Sequence, residues 1–533
     1  MIRKISIWLF LSLLFTTTAN AQVKFRADFE SGSLGDVTLT DSTRIATSGS
    51  DTLEHLTYRI TTRKDPANPA DPKLTPSRRW FYFLMTGVKG KKIALDIEYN
   101  DSRRPMYSYD GIHFTRFTID EVPVENKTIT KLYDRDSVYI AYFTPYTQSY
   151  LQKRISEWIR TGHTDTIHIG TSEHGREMPL LIITNPTPAK NKKTVYIHGR
   201  VHPSETPGSW HLDGMIEMLS SNTAYANDLR NNAVFYILPF TNPDGVWEGM
   251  SRSNGNGINI EVNWADNEEV TSREVKNIRK FLRELTRNGK PVDLFLNMHS
   301  QIAPNITYWI HSAESTSGAY YKELMLLANL TISGNPYFFK KDLSFSKVAS
   351  RYLEGWFWDN FKGRTLAVTF ETPYTYYGEK PEGDWVTVEN LQQAALYNLY
   401  AVGDYLGLGR QERVIADNPQ RGRKVTVRKD NEVIYFGKSY LVSKKAGAKV
   451  KFKGKLPAGT YDVYKWQAGE NLKISKDGEN EWMRTGKFIQ TGDGNFKYIY
   501  RAPRAGEKID ALVFIKEYKP LINRNAVNVQ SAQ

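Results

Sequence analysis

Cysteine is absent from all 533 residues. That excludes disulfides, thiolate catalysis, a lipid on an N-terminal cysteine and any cysteine-type zinc centre, leaving His, Asp and Glu as the side chains able to hold a metal. Histidine is itself scarce, ten in the whole chain, so two of them within one short loop stand out. Long apolar runs are missing after the N-terminus: no later segment reaches the roughly 18 uninterrupted apolar residues of a spanning helix. No transmembrane segment is therefore expected.

What is present begins with "MIRKISIWLFLSLLFTTTANAQ". A basic start, a short apolar run and Ala19 and Ala21 ahead of Gln22 predict a secretory signal peptide over 1–21. The expected address is export to the periplasm or beyond, in a bacterium. The chain is too long for a single hydrophobic core and should divide into domains.

From 22 to 147, short apolar runs such as "WFYFLMTGV" and "KIALDIEY" between turn clusters predict an antiparallel β-sandwich. From 148 to 409, the runs "TVYIH", "VFYILPF", "DLFLNMH" and "LAVTFE" alternate with helical patterns, which predicts an α/β domain with buried strands. Leu212, Met215, Ile216 and Leu219 mark one helical face; Val275, Ile278, Leu282 and Leu285 mark another, opened by Thr271 and Glu274 at capping-box spacing. A further helix should run along "ENLQQAALYNLYAVGDYL" and close before Gly407. A linker is expected at 410–422, a second all-β domain at 423–522 and a tail at 523–533.

Chemistry concentrates in the α/β region. In "YIHGRVHPSETPGSW", His202 and Glu205 form an H-x-x-E pair between a strand end and a helix start. Alone, that spacing is commonplace. A catalytic zinc takes three protein ligands and keeps a place for water, and His299, at the end of "DLFLNMH", can emerge at the same sheet edge. Glu371 ends "LAVTFE" in a similar position, where a carboxylate could move protons. Arg252 lies in the Gly- and Asn-rich loop "GMSRSNGNG". Each residue taken singly reads as a core histidine, a turn cap or a solvated cation; together they form a complementary set.

In this order, "GRVHPSET", "PFTNPDGVWEG", Arg252, "LNMHS" and "TFET" resemble the zinc metallocarboxypeptidase family. The similarity is greatest to the cytosolic carboxypeptidase branch, in which a β-sandwich precedes the catalytic domain. It extends over about residues 75–405. The resemblance implies a mixed-sheet α/β hydrolase with one zinc per chain on His202, Glu205 and His299. It further implies that Glu371 is the general base and that Arg252 polarises the scissile carbonyl.

One motif departs from the family. A D-L-N-R-type stretch, whose asparagine and arginine grip the terminal carboxylate of the substrate, is replaced by "NIEVNW". Glu261 and Val262 stand where those two residues belong, and Asn259 replaces the aspartate that supports a zinc histidine. Glu261 facing a carboxylate would be repulsive by about a few kcal/mol in a desolvated pocket. The expected activity is peptide or amide hydrolysis with a neutral or cationic group bound near Glu261 and Arg252. An amidase acting on a peptidoglycan-derived or other non-peptide amide and a non-catalytic binding protein are the alternatives. Tyr352 is the candidate for a substrate-closing tyrosine.

Charge is uneven. Residues 421–533 hold 24 Lys and Arg against 11 Asp and Glu, which equals the net +13 of the whole chain. A basic face can simply aid solubility. It can also attach the protein to an anionic envelope polymer; specific nucleic-acid binding is not expected of an exported chain.

Overall fold

The computed structural model describes residues 22–46, 52–123, 128–186, 191–339, 341–378, 383–409, 413–417, 419–420, 422–471 and 479–516. The signal peptide expected at 1–21, residues 410–412 of the expected linker and the expected tail at 523–533 lie outside the described residues.

The N-terminal domain pairs two sheets. One runs Lys24–Arg26, Tyr82–Thr86, Ser137–Ala141, Met106–Ser108, Thr115–Arg116; the other runs Val37–Ala46, Thr52–Ile60, Lys91–Ile97, Ile129–Leu132. Leu56, Ile60, Phe81, Phe83, Ile93, Leu95, Val138 and Ile140 are buried between them. The sheets are not wholly antiparallel: Thr52–Ile60 pairs in parallel with Lys91–Ile97. Tyr82–Thr86 crosses to the other sheet between them, and a parallel pair requires such a crossover.

The middle of the chain forms an eight-stranded mixed sheet of β1 Thr164–Thr171, β2 Glu177–Ile183, β3 Lys193–Gly199, β4 Ala233–Leu238, β5 Leu294–Gln301, β6 Thr307–His311, β7 Ser344–Ser346 and β8 Leu366–Pro373. Their order is β1-β2-β4-β3-β5-β8-β6-β7, with β4, β3, β5 and β8 mutually parallel. The strand alternation feeds two cores. Val195, Ile197, Leu294, Leu296 and Val368 pack with Leu212, Met215, Ile216 and Leu219 of the helix Thr206–Ser220. Tyr196, Phe295 and Ala367 face Val275, Ile278 and Leu282 of Arg273–Leu285 and Leu353 and Phe357 of Leu353–Phe361. Burial on both faces is what continuous apolar parallel strands require.

Two helix boundaries are informative. Val388–Leu406 ends at Gly407, whose φ of 67° is the left-handed cap that glycine adopts without strain. Arg273–Leu285 is capped by Ser272, not by Thr271. Glu274 is buried and accepts from Asn254 at 3.2 Å, so it ties the helix to the loop after Arg252 instead of closing a capping box.

The C-terminal β domain contains a four-stranded sheet, Arg413–Ala416, Leu512–Lys516, Gly459–Trp466, Trp482–Gln490. Arg413–Ala416 falls within the expected linker and is instead a paired strand, anchored by an ion pair between Arg413 and Asp404. "EVIYF" is a buried loop, in which Phe436 packs on Trp466 and Trp482 with ring centres 5.5 and 5.3 Å apart. The domain sits on helices of the central domain: Trp482 Nε1 donates to Asp404 at 3.2 Å, and Lys322 Nζ donates to the Tyr435 and Gly437 carbonyls. No helix of the described residues is long and apolar enough to cross a membrane.

A separate ribbon pairs Lys449–Leu456 with Gly494–Arg501. Val450, Phe452, Leu456 and Phe496 turn inward, so Lys449, Lys451, Lys453, Lys455, Lys497 and Arg501 share the other face. Lys449 lies opposite Arg501, and Lys453 opposite Lys497.

Candidate metal centre

Four strand-end segments of the central sheet build the site. β3 ends at Gly199, and Arg200, at φ 58°, turns the chain sharply. Its buried guanidinium donates to the Pro203 carbonyl at 2.7 Å, the Tyr146 carbonyl at 2.9 Å and Ser209 Oγ at 3.0 Å, which fixes the loop carrying His202 and Glu205. The helix that follows begins one residue after Glu205. Its Gly208 approaches β5 so closely that a Cβ there would lie 3.1 Å from the His299 carbonyl oxygen, and its N–H donates to Ser300 Oγ at 2.8 Å.

These contacts bring the two halves of the site together. His202 Nδ1 lies 2.8 Å from Glu205 Oε1, and His299 Nδ1 lies 3.0 Å from Glu205 Oε2. The two imidazole rings are 4.9 Å apart, and all three side chains are buried. Ser300 N donates to Glu205 Oε2 at 3.0 Å. Two imidazole nitrogens and a carboxylate converging without sulfur form a donor set that fits zinc. The buried His299 Nε2 has no hydrogen-bond partner among the described residues.

Glu371 reaches the same edge because β8 pairs with β5 in a register that sets it opposite His299. Trp309 Nε1, from β6, donates to Glu371 Oε1 at 3.2 Å, while the buried Oε2 accepts no hydrogen bond among the described residues. Burial, reinforced by the Glu205 carboxylate, pushes the Glu371 carboxyl up to about 7, against the opposing pull of His299. A carboxyl there is poised to take and return protons near neutral pH.

Arg252 and Glu261 meet on the other side of His202. Glu261 Oε2 is 2.8 Å from an Arg252 terminal nitrogen and 3.2 Å from His202 Nε2. Burial would raise its carboxyl, but the neighbouring His202 outweighs that and holds it at about 2. Asn259 Oδ1 lies 3.3 Å from the same His202 nitrogen and accepts from the Glu261 N–H at 3.1 Å. Glu261 and Val262 sit in a 3-10 turn, Ile260–Val262. Among the described residues, His202, Glu261 and His299 also have donor atoms within 4.8 Å of one another.

The N-terminal domain reaches this site through contacts no local pattern announces. Buried Asp65 accepts from the backbone N–H groups of Ser251, Arg252 and Ser253 at 2.7, 2.8 and 2.9 Å. Arg79 N and Trp80 N donate to Ser251 Oγ at 2.8 and 3.1 Å. Ser204, between the two predicted ligands, donates through Oγ to the Ser251 carbonyl at 2.7 Å. Tyr352 caps the helix Leu353–Phe361, and its hydroxyl accepts from Arg351 at 2.9 Å.

A second cluster, His174, Asp244 and Glu248, has donor atoms in comparable proximity. Arg176 occupies it, donating to Asp244 at 2.7 Å and to Glu248 at 3.3 Å. It is therefore a structural ion-pair network.

Comparison with known proteins agrees with this geometry. Residues 160–376 match the family described as zinc carboxypeptidase, and residues 25–143 match the cytosolic carboxypeptidase N-terminal domain. Cytosolic carboxypeptidase 6 of Mus musculus is 27% identical over 304 residues, which covers 52% of this chain and 53% of that protein. The chain thus spans about half the length of the curated relatives it matches. A metallo-carboxypeptidase of Burkholderia cenocepacia shares the fold, with a TM-score of 0.59 at 20% identity over 72% of this chain and 99% of that one. One from Pseudomonas aeruginosa has a TM-score of 0.58 at 22% identity over 72% of this chain and all of that one. The chain thus carries a zinc carboxypeptidase domain, of a zinc-dependent hydrolase family, at 160–376, preceded at 25–143 by a cytosolic carboxypeptidase N-terminal domain.

Proposed function

We propose that the protein hydrolyses a peptide or peptide-like amide bond and that the substrate group bound beside Glu261 is uncharged or cationic. The observation that carries this reading is the pairing of Glu371 with His299 across adjacent strands, with Glu371 Oε2 buried and free to accept a proton. Zinc held by His202, Glu205 and His299 would supply Lewis acidity toward water and the scissile carbonyl. Glu371 takes a proton from the attacking water on Oε2 and returns it to the leaving amine, while Trp309 holds Oε1. Arg252, with 43% of its side chain exposed, is placed to steady the carbonyl oxygen as it gains charge.

Specificity follows from what faces the substrate. Val262 offers no cation, and Glu261 repels a terminal carboxylate, so a free C-terminus is disfavoured where an amidated or amine-bearing end is accepted. The experiment is zinc analysis coupled to a screen of amide substrates with free, amidated and amine-bearing ends. Zinc near one equivalent per chain, lost in His299→Ala, together with turnover of blocked or cationic ends, is the expected result. Efficient release of residues bearing a free carboxylate would overturn the specificity. Turnover confined to non-peptide or peptidoglycan-derived amides would favour the amidase alternative.

The site of action is part of the same proposal. Residues 1–21 direct export, and the ribbon with six cations on one face binds an anionic envelope polymer. Like charges directly opposite one another in a sheet are destabilising, and among the described residues the domain's ion pairs, Lys465–Glu507, Arg484–Asp462 and Arg504–Glu507, involve none of the six. A polyanion would relieve that repulsion, with attachment that weakens as salt rises. Recovery of unprocessed protein in the cytoplasm would sink the export reading.

A further inference from the structure

A metal-binding imidazole uses one nitrogen on the ion and donates a proton from the other; the acceptor of that proton fixes the ring and raises its basicity. The two histidines of this site differ in what faces the far nitrogen. His299 Nε2 is buried without a partner among the described residues. His202 Nε2 has two oxygens within reach, Asn259 Oδ1 at 3.3 Å and Glu261 Oε2 at 3.2 Å.

Those two oxygens are not equivalent. Asn259 is uncharged, and its Oδ1 is already engaged by the Glu261 N–H at 3.1 Å. Glu261 offers a carboxylate with a side chain only 18% exposed, where a charge-assisted bond is stronger than one to a neutral amide. Arg252 grips the same oxygen at 2.8 Å, and the 3-10 turn Ile260–Val262 fixes the backbone beneath it. In the sequence, a carboxylate is missing at 259 and unexpectedly present at 261. The turn brings both side chains to one nitrogen of His202.

We infer that Glu261 is the carboxylate that holds His202 in its metal-binding tautomer and orientation. It is a positioning residue, acting through His202, and its contact lies on the ring nitrogen opposite the one that meets Glu205. The competing role is direct ligation, since Glu261 also shares a 4.8 Å grouping with His202 and His299. The substitution that removes the substrate clamp thereby preserves the metal centre.

The inference rests on the zinc centre proposed above, and its test needs no substrate. The full chain, Glu261→Gln and the double variant Glu261→Gln with Asn259→Asp are each titrated with zinc against a competing chelator, and their metal-free melting temperatures are compared. Glu261→Gln is expected to bind zinc about 10- to 100-fold more weakly, and Asn259→Asp, already within reach of the same nitrogen, to restore affinity to within about threefold. Melting temperatures should agree across the set, separating loss of orientation from loss of fold. Unchanged affinity in Glu261→Gln overturns the inference. So does a loss that Asn259→Asp fails to restore, which assigns Glu261 to direct ligation or to scaffolding. If the unaltered chain takes up no zinc, the metal centre itself fails, a result distinct from tight and equal binding by chain and variant.

Discussion

The two β domains that flank the central sheet touch it in different ways. The N-terminal domain bonds to the catalytic loop: Asp65 accepts three consecutive N–H groups around Arg252, and Arg79 and Trp80 hold Ser251. The C-terminal domain packs on the helices behind the sheet, through Trp482 on Asp404 and Lys322 on the Tyr435 and Gly437 carbonyls. One domain shapes the site; the other, among the described residues, bonds to the helices and not to the site. The lesson is that shared burial does not make a domain part of the chemistry. Hydrogen bonds to the residues that carry the reaction do.

Variants should separate the two. The central sheet sets the scale: Glu371→Gln should keep zinc and fold and lose about 10²- to 10⁴-fold in turnover, because an amide cannot accept the water proton. A loss under about threefold would remove the base. Asp65→Ala comes next. Without its acceptor the Arg252 loop loses its anchor, and turnover should fall by about 10- to 100-fold, a fraction of what losing an oxyanion donor costs. In an Arg252→Ala background the same change should do little more, since residues acting as one unit are not additive. Full additivity would break the claim that the N-terminal domain acts through that loop.

The C-terminal domain should respond to pH and salt instead of altering turnover. Burial, partly relieved by Lys322, pushes the Asp417 carboxyl up to about 7. An acid raised in the folded state destabilises the fold as pH climbs from its unfolded value near 4 through 7, because only the unfolded chain can ionise it freely. Asp417→Asn should therefore raise the melting temperature at pH 8 and change little at pH 4. In the central sheet the sign is reversed. Burial, aided by His299, holds His198 neutral down to about 3, with its Nε2 2.8 Å from Asn297 Oδ1. That stability is lost as pH falls from about 6.5 toward 3, because the unfolded chain binds the proton first. Equal acid sensitivity of His198→Asn and the unaltered chain would contradict it.

The smallest effect on turnover is expected from the ribbon. Replacing Lys449, Lys453, Lys497 and Arg501 with glutamine should leave hydrolysis of a small substrate within about twofold while weakening binding to an anionic polymer and flattening its salt dependence. Truncation near Gly409 is a poorer test, because Arg413 and Trp482 both bond to Asp404 of the helix Val388–Leu406.

Much of the site was legible because it is local. His202 and Glu205 share one turn, and His299 and Glu371 each end an apolar run that reads as a buried strand. The faces of Thr206–Ser220 and Arg273–Leu285 followed from apolar periodicity. The strand Arg413–Ala416 was missed because its partner, Leu512–Lys516, lies about a hundred residues away. Asp65 carried no signal for the same reason: an aspartate in a loop is ordinary until its acceptor role across a domain boundary is seen.

The sequence by itself determined the residue types of the centre, the periodicity that buries its strands and the absence of any thiolate. Those properties are written in neighbouring residues. Only the tertiary structure decided that β8 sets Glu371 opposite His299, that Asp65 holds the Arg252 loop, and that Glu261 lies against His202 Nε2. Register, domain contact and the direction of a carboxylate are set by the packing of segments distant along the chain, and no local pattern encodes them.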